Sequence, residues 1–131
     1  VTPNEAEASA ESGISIVDNA TAVEAGRGIR ETTDARWVFI TRGNKGMVIV
    51  GPGREAFRLP IVGPSEIVDV AGAGDTVSAV VTLALANGEA PLVAGLLASY
   101  AASVVCMKTG VATATPAEVA AAITKYPLPK L

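Results

Sequence analysis

The apolar positions of this chain fall into two periods, and each predicts a different element. Asn4 stands as a helix N-cap with Glu5 and Glu7 in the first turn, and Gly13 closes that short helix. Asp18 caps a second helix over Asn19 to Thr33, where Ala22, Val23, Ala25 and Ile29 recur as one apolar stripe. The pattern then changes. Trp37-Val38-Phe39-Ile40-Thr41 reads as a buried strand, Gly43-Asn44-Lys45-Gly46 as a turn and Met47-Val48-Ile49-Val50 as the answering strand. Gly51-Pro52-Gly53 turns the chain into Ala56 to Leu59, an edge strand, and Pro60 to Glu66 is a loop leading to Ile67-Val68-Asp69-Val70. A long helix is expected from Gly72 to Ala86, stopped by Asn87-Gly88. Pro91 opens another, Leu92 to Met107, apolar nearly all round and so expected in the interior. Gly110 to Ala114 is a loop, Thr115-Pro116 starts a last helix over Ala117 to Thr124, and Pro127-Leu128-Pro129 ends the fold.

Strand–helix alternation at the start, a β-meander and then helix after helix predict an α/β fold with a mixed sheet. Ligands of such sheets gather at the carboxyl ends of the strands. The turns at Thr2-Pro3-Asn4, Thr41-Arg42-Gly43 and Asp69 to Asp75 are expected at that end. At 131 residues the chain has the length of a single domain, and 50% hydrophobic against 18% charged residues implies a compact body. It opens at Val1-Thr2-Pro3 on what reads as the middle of a fold, so a fragment is expected.

Charge and composition then remove function classes. A net charge of −3 without a basic patch argues against nucleic acid as a partner. The absence of histidine excludes Ser-His-Asp triads, Cys-His pairs and most zinc sites, leaving proton transfer to carboxylates, Lys or Tyr. Cys106, the only cysteine, excludes an internal disulfide, fits a cytoplasmic compartment and reads as an inert buried thiol. The longest apolar run, Val93 to Met107, is too short for a membrane span, and no signal peptide pattern is present.

The candidate chemistry lies in Asp69-Val70-Ala71-Gly72-Ala73-Gly74-Asp75-Thr76. Unpaired amides at a helix start suit an anion such as phosphate, and Gly72 and Gly74 leave the backbone open to it. A carboxylate among those amides is a candidate base for phosphoryl transfer. Spacing alone allows an equal alternative, with Asp75 an ordinary N-cap and Gly-Ala-Gly a tight turn. Neither Gly-x-x-x-x-Gly-Lys-Ser/Thr nor the third glycine of the dinucleotide fingerprint is present.

Four segments, Thr2 to Glu7, Ile40 to Gly46, Asp69 to Thr76 and Lys108 to Ala114, occur in the order and spacing of the ribokinase-like (phosphofructokinase-B) sugar kinases, which this chain resembles. Val105 to Pro116 and Asp69 to Ala86 are most similar to the heptose-7-phosphate kinases of lipopolysaccharide precursor (ADP-heptose) synthesis. The resemblance implies a ribokinase-like sheet flanked by helices, of which the chain holds the C-terminal, nucleotide-binding half as one partial domain. It implies ATP-dependent phosphorylation of a sugar or sugar phosphate, with heptose 7-phosphate at its anomeric hydroxyl first. A ribokinase, a nucleoside kinase and an inactive nucleotide-binding fragment are the alternatives. By the same resemblance Asp75 is the catalytic base, and Ala71, Gly72, Ala73 and Gly74 form the anion hole. Asn4 and Glu7 form the Asn-x-x-Glu pair that positions Mg²⁺ largely through water. Thr41, Gly43 and Gly46 border the nucleotide, and Ser99 aligns beside the adenine where the family has Asn or His. Asp69 matches a ligand for K⁺, joined in the family by carbonyls such as those of Ala71, Val105 and Gly110, although Ala114 stands where a hydroxyl is common. A homodimer, or pairing with an N-terminal half, is expected to cover apolar surface left open.

Overall fold

The computed structural model describes residues 1–64 and 67–128. The expected loop of 60–66 and the stop at 127–129 therefore lie partly outside the described residues. The chain divides into two compact units, Val1–Leu59 and Pro60–Leu131.

In the first unit α1 (Glu5–Ser12) and α2 (Asn19–Thr33) precede β1 (Val38–Thr41), a 3₁₀ turn at Gly43–Lys45, β2 (Met47–Val50) and β3 (Ala56–Leu59). Both helices begin on the side-chain caps that the sequence predicts. The Asn4 side chain accepts from the Glu7 amide and the Asp18 side chain from the Thr21 amide, each completed by a reciprocal bond. Gly13 ends α1 at φ 71°, a conformation that costs glycine little. The strands pair antiparallel in the order β1-β2-β3, with Val38 opposite Val50, Thr41 opposite Met47 and Met47 opposite Leu59. This register puts Val38, Ile40, Val48 and Val50 on one face, where they form a core with Ala8, Ala22, Val23, Ala25 and Ile29 of the two helices. The sheet is mixed because the first residues run parallel to β1. Phe39 donates its amide to the Val1 carbonyl at 2.9 Å and Thr41 donates to that of Pro3 at 3.0 Å, and Asn4 bridges Thr41. One expectation shifts, since β1 starts at Val38 rather than Trp37; the turn expected at Gly43 to Gly46 is present and takes 3₁₀ form over Gly43–Lys45.

The second unit holds α3 (Ala73–Ala86), α4 (Pro91–Cys106) and α5 (Pro116–Lys125), with α3 packed on α4 and α4 on α5. Val77, Val81 and Ala84 recur at helical spacing on the buried side of α3. The Tyr100 hydroxyl donates to the Tyr126 carbonyl at 2.6 Å, beside a small core of Val62, Tyr100 and Ala122. Helix α4 is less interior than its composition predicts. Ala94, Gly95, Ala98, Tyr100, Ala101 and Val105 are buried, but Val93 is exposed and Leu92, Leu96 and Leu97 are half-buried. Its small residues, with Tyr100 and Val105, form the close-packed side, and the leucines and Val93 are left on the outer side. Among the described residues no helix is long and apolar enough to cross a membrane.

Candidate functional site

Helix α3 begins on a glycine held in the left-handed region. Gly72 is its N-cap at φ 76°, with no side-chain cap, and Ala73, Gly74 and Asp75 make the first turn. The N-cap alternative for Asp75 is therefore overturned, since Asp75 sits three residues inside the cap. A helix start lacks intrahelical acceptors for its first amides. Here Ala73 donates to the Val70 carbonyl and Thr76 to that of Gly72, while the amides of Gly74 and Asp75 have no acceptor among the described residues. A Cβ on Gly74 would meet nothing within 4 Å, so the side of the helix at Gly74 is open. The Asp75 carboxylate is exposed and has no hydrogen-bond or ion-pair partner among the described residues. Two free amides and a free carboxylate thus share one helix start. The amides attract an anion and the carboxylate can take a proton.

Asp69 ties this turn to the loop after α4. Its Oδ1 accepts from the Ala71 amide at 2.9 Å and its Oδ2 from the Gly110 amide at 3.0 Å. These two backbone bonds, that of Ala71 first, hold its carboxyl below the ordinary range. The far side of the loop is strapped by Lys108, whose Nζ donates to the Thr113 carbonyl and to Glu118 Oε1, each at 2.7 Å. The Lys108 ammonium, and after it the Thr115 amide and hydroxyl, pull Glu118 down to about 2. The loop presents Val111, which is 86% exposed and would lie 3.6 Å from a Cβ on Gly72. Neither the strap nor Val111 was evident from sequence, although Lys108 and Glu118 flanking a capped helix start was a usable signal. Ser99 donates its hydroxyl to the Gly95 carbonyl of its own helix. Cys106 is half-buried rather than buried, and burial, then the charge of Asp69, pushes its thiol up and away from nucleophilic use.

The first unit brings together Asn4, Glu7, Thr41, Gly43 and Gly46. Asn4 bridges Thr41, and the 3₁₀ turn follows directly, with Gly43 at φ 56° and Gly46 at φ 86°. Asn4 and Glu7 form a capping box: Asn4 Oδ1 accepts from the Glu7 amide at 2.9 Å and Glu7 Oε2 from the Asn4 amide at 2.8 Å. Glu7 is exposed and its Oε1 has no partner among the described residues. Among those residues no group of three or more Asp, Glu or Cys is placed to hold a metal by itself. Arg42, which sequence reading passed over, is buried beside this cluster. Its Nε donates to Glu5 Oε2 at 2.7 Å and its guanidinium also bonds Asn19, while Lys45 Nζ meets Glu5 Oε1 at 3.0 Å. The Lys45 ammonium and then the Arg42 guanidinium hold the Glu5 carboxyl below its usual range.

The chain is similar to known proteins. The chain is 40% identical over 128 residues to the bifunctional protein HldE of Desulfatibacillum aliphaticivorans, covering 98% of this chain and 26% of that protein. It is 41% identical over 119 residues to the HldE of Geobacter sulfurreducens, covering 91% of this chain and 24% of that one. The chain thus spans about a quarter of the length of these relatives. Among solved structures, phosphofructokinase-2 from Escherichia coli in complex with potassium matches with a TM-score of 0.84 at 20% identity, over 95% of this chain and 40% of that one. Ribokinase from Thermotoga maritima matches with a TM-score of 0.80 at 26% identity, over 94% of this chain and 41% of that one. The fold is ribokinase-like, of the α/β class. A family model described as pfkB family carbohydrate kinase matches residues 1–118, and the chain belongs to that family.

Proposed function

We propose that this chain carries the nucleotide side and the catalytic base of an ATP-dependent carbohydrate kinase acting on heptose 7-phosphate at its anomeric hydroxyl. The observation that carries this reading is the start of α3, where the Gly74 and Asp75 amides and the Asp75 carboxylate are all without partners among the described residues. The relatives called HldE, about 40% identical across nearly the whole chain, support the heptose. In the proposed step the sugar hydroxyl oxygen forms a bond to the γ-phosphorus and the bond from that phosphorus to the ADP oxygen breaks. The hydroxyl proton passes to Asp75, and the free amides donate to phosphoryl oxygens as charge spreads over them. Gly72 keeps the chain clear of the phosphate, and Thr41, Gly43 and Gly46 border the nucleotide. By the resemblance, Ser99 is assigned beside the adenine.

Asn4 and Glu7 fit Mg²⁺ as a hydrated ion, because the capping box leaves Glu7 Oε1 available and supplies no closed cage. When bound there, the ion offsets phosphate charge. The donor set for K⁺ is thinner: both Asp69 oxygens already accept amides, and Ala114 adds no hydroxyl. No step depends on it. The chain is read as one partial domain, the C-terminal half of a longer cytoplasmic kinase. It pairs with an N-terminal half or with a second copy, and it has no turnover alone.

The likeness to ribokinase favours a second reading, a pentose or nucleoside acceptor on the same site. The natural protein that carries this sequence is assayed for ADP release with heptose 7-phosphate, ribose, adenosine and fructose 6-phosphate, and the product is located by phosphorus NMR. A 1-phosphate formed on heptose 7-phosphate is expected. Turnover confined to ribose or adenosine supports the second reading, and none with any acceptor contradicts both.

A further inference from the structure

Among the described residues Arg42 is the only buried charged side chain, 6% exposed, and it stands between Thr41 and Gly43. Its position is electrostatically poor. The residues it bonds, Glu5 and Asn19, are the first residues of α1 and α2, where helix dipoles present their positive ends. A cation withdrawn from water at two such ends needs an acid beside it. Glu5 is that acid. Its second oxygen grips Lys45 inside the 3₁₀ turn, so one carboxylate holds the residue before the turn and a residue within it.

The turn needs such an anchor. Its own bonds, Arg42 amide to Gly46 carbonyl, Lys45 amide to Arg42 carbonyl and Gly46 amide to Gly43 carbonyl, fix its shape. They do not fix its direction, because a glycine with positive φ stands at each end. Glu5 sits between Asn4 and Glu7 in sequence, so whatever it holds is referenced to the start of α1. We propose that Glu5 is a positioning residue: by gripping Arg42 and Lys45 it fixes the Gly43–Gly46 turn relative to Asn4 and Glu7, and so sets nucleotide affinity. This rests on the kinase reading for the nucleotide, but not for the anchoring of the turn.

The test uses Glu5→Gln and Lys45→Met in the natural protein that carries this chain. Lys45→Met leaves the Arg42–Glu5 pair in place and guards against simple unfolding. Both variants are expected to raise the KM for ATP about tenfold, the effect of one lost positioning contact, while kcat and the sugar KM stay within about twofold. In the nucleotide-free protein, amide exchange at Lys45 and Gly46 is expected to accelerate in both variants, with the α2 and β2 amides unchanged. A merely structural ion pair would lower stability and shift both substrates together. A rise in ATP KM for Lys45→Met alone overturns the proposal, because Lys45 then contacts the nucleotide itself. Unchanged exchange at Lys45 and Gly46 in Glu5→Gln overturns it as well. If the wild-type protein phosphorylates no sugar, the kinase reading fails, and the exchange result still decides whether Glu5 anchors the turn.

Discussion

Two glycines at opposite ends of α3 allow the phosphate-binding account to be separated from stability. Gly72 stands at φ 76° before the helix and Gly88 at φ 83° after it. A Cβ on Gly72 would find its nearest neighbour, Val111 Cγ1, at 3.6 Å, which is ordinary contact, and a Cβ on Gly88 would meet nothing within 4 Å. Neither alanine clashes, so each substitution costs only the left-handed conformation, about 1–2 kcal/mol. The 14 residues of α3 between the two sites span about 21 Å. Gly72→Ala and Gly88→Ala should therefore lower the denaturant midpoint by similar amounts. Their kinetics should differ. Relaxing residue 72 towards negative φ re-aims the Gly74 and Asp75 amides, and a lost donor at such a site costs about 10²–10³ in kcat. Gly88→Ala should stay within about twofold of wild type, as a site that touches no reacting group. Circular dichroism unfolding and ADP release, both on the natural protein, supply the two readouts. Equal activity of the two variants at equal stability would refute the claim that the start of α3 binds the phosphate.

Three further outcomes follow from particular contacts. A Cβ on Gly26 would lie 2.6 Å from Val50 Cγ2, a stiff and buried neighbour, so Gly26→Val should destabilise by about 1–3 kcal/mol in thermal unfolding; an unchanged midpoint would contradict the packing of α2 on the sheet. Glu118 is pulled from an ordinary 4.5 to about 2, so its pairing with Lys108 adds stability that is fully present above 4.5 and is lost as pH falls towards 2. Glu118→Gln should flatten the loss of stability across that window, and parallel wild-type and variant curves would count against the strap. Because Asp69 already accepts two amides and Ala114 offers no hydroxyl, replacing K⁺ by tetramethylammonium should change kcat by less than about threefold; strict K⁺ dependence would show that the remaining carbonyls suffice.

What could be read from the sequence was short-range. Asn4, Asp18 and Thr115 cap helices because each finds its partner amide three residues on, and that spacing is visible in the chain itself. The β-meander followed from apolar runs separated by glycine turns. At Asn4 and Glu7 the same locality serves two readings, since a capping box and an Asn-x-x-Glu metal pair share one spacing; the box is formed, and it leaves Glu7 Oε1 available. The start of α3 needed a dihedral angle: only the left-handed Gly72 moves the cap from Asp75 to the glycine. The contacts that escaped were long-range. Arg42 lies 37 residues from Glu5 and 23 from Asn19, and Gly110 lies 41 residues from Asp69. No periodicity encodes such pairs. The parallel run of the first residues along β1 was hidden likewise, because Val1 to Asn4 is too short to carry a strand pattern.

The proposed phosphoryl transfer turns on Asp75 as the base. Asp75→Asn keeps the size of the side chain and leaves the helix-start amides in place, but removes the group proposed to take the proton. In the natural protein, kcat for sugar phosphorylation should fall about 10²–10⁴-fold while the nucleotide Kd, measured by calorimetry, stays within about threefold. An Asp75→Asn variant that turns over within about tenfold of wild type, with nucleotide bound as before, would show that the proton leaves by another route.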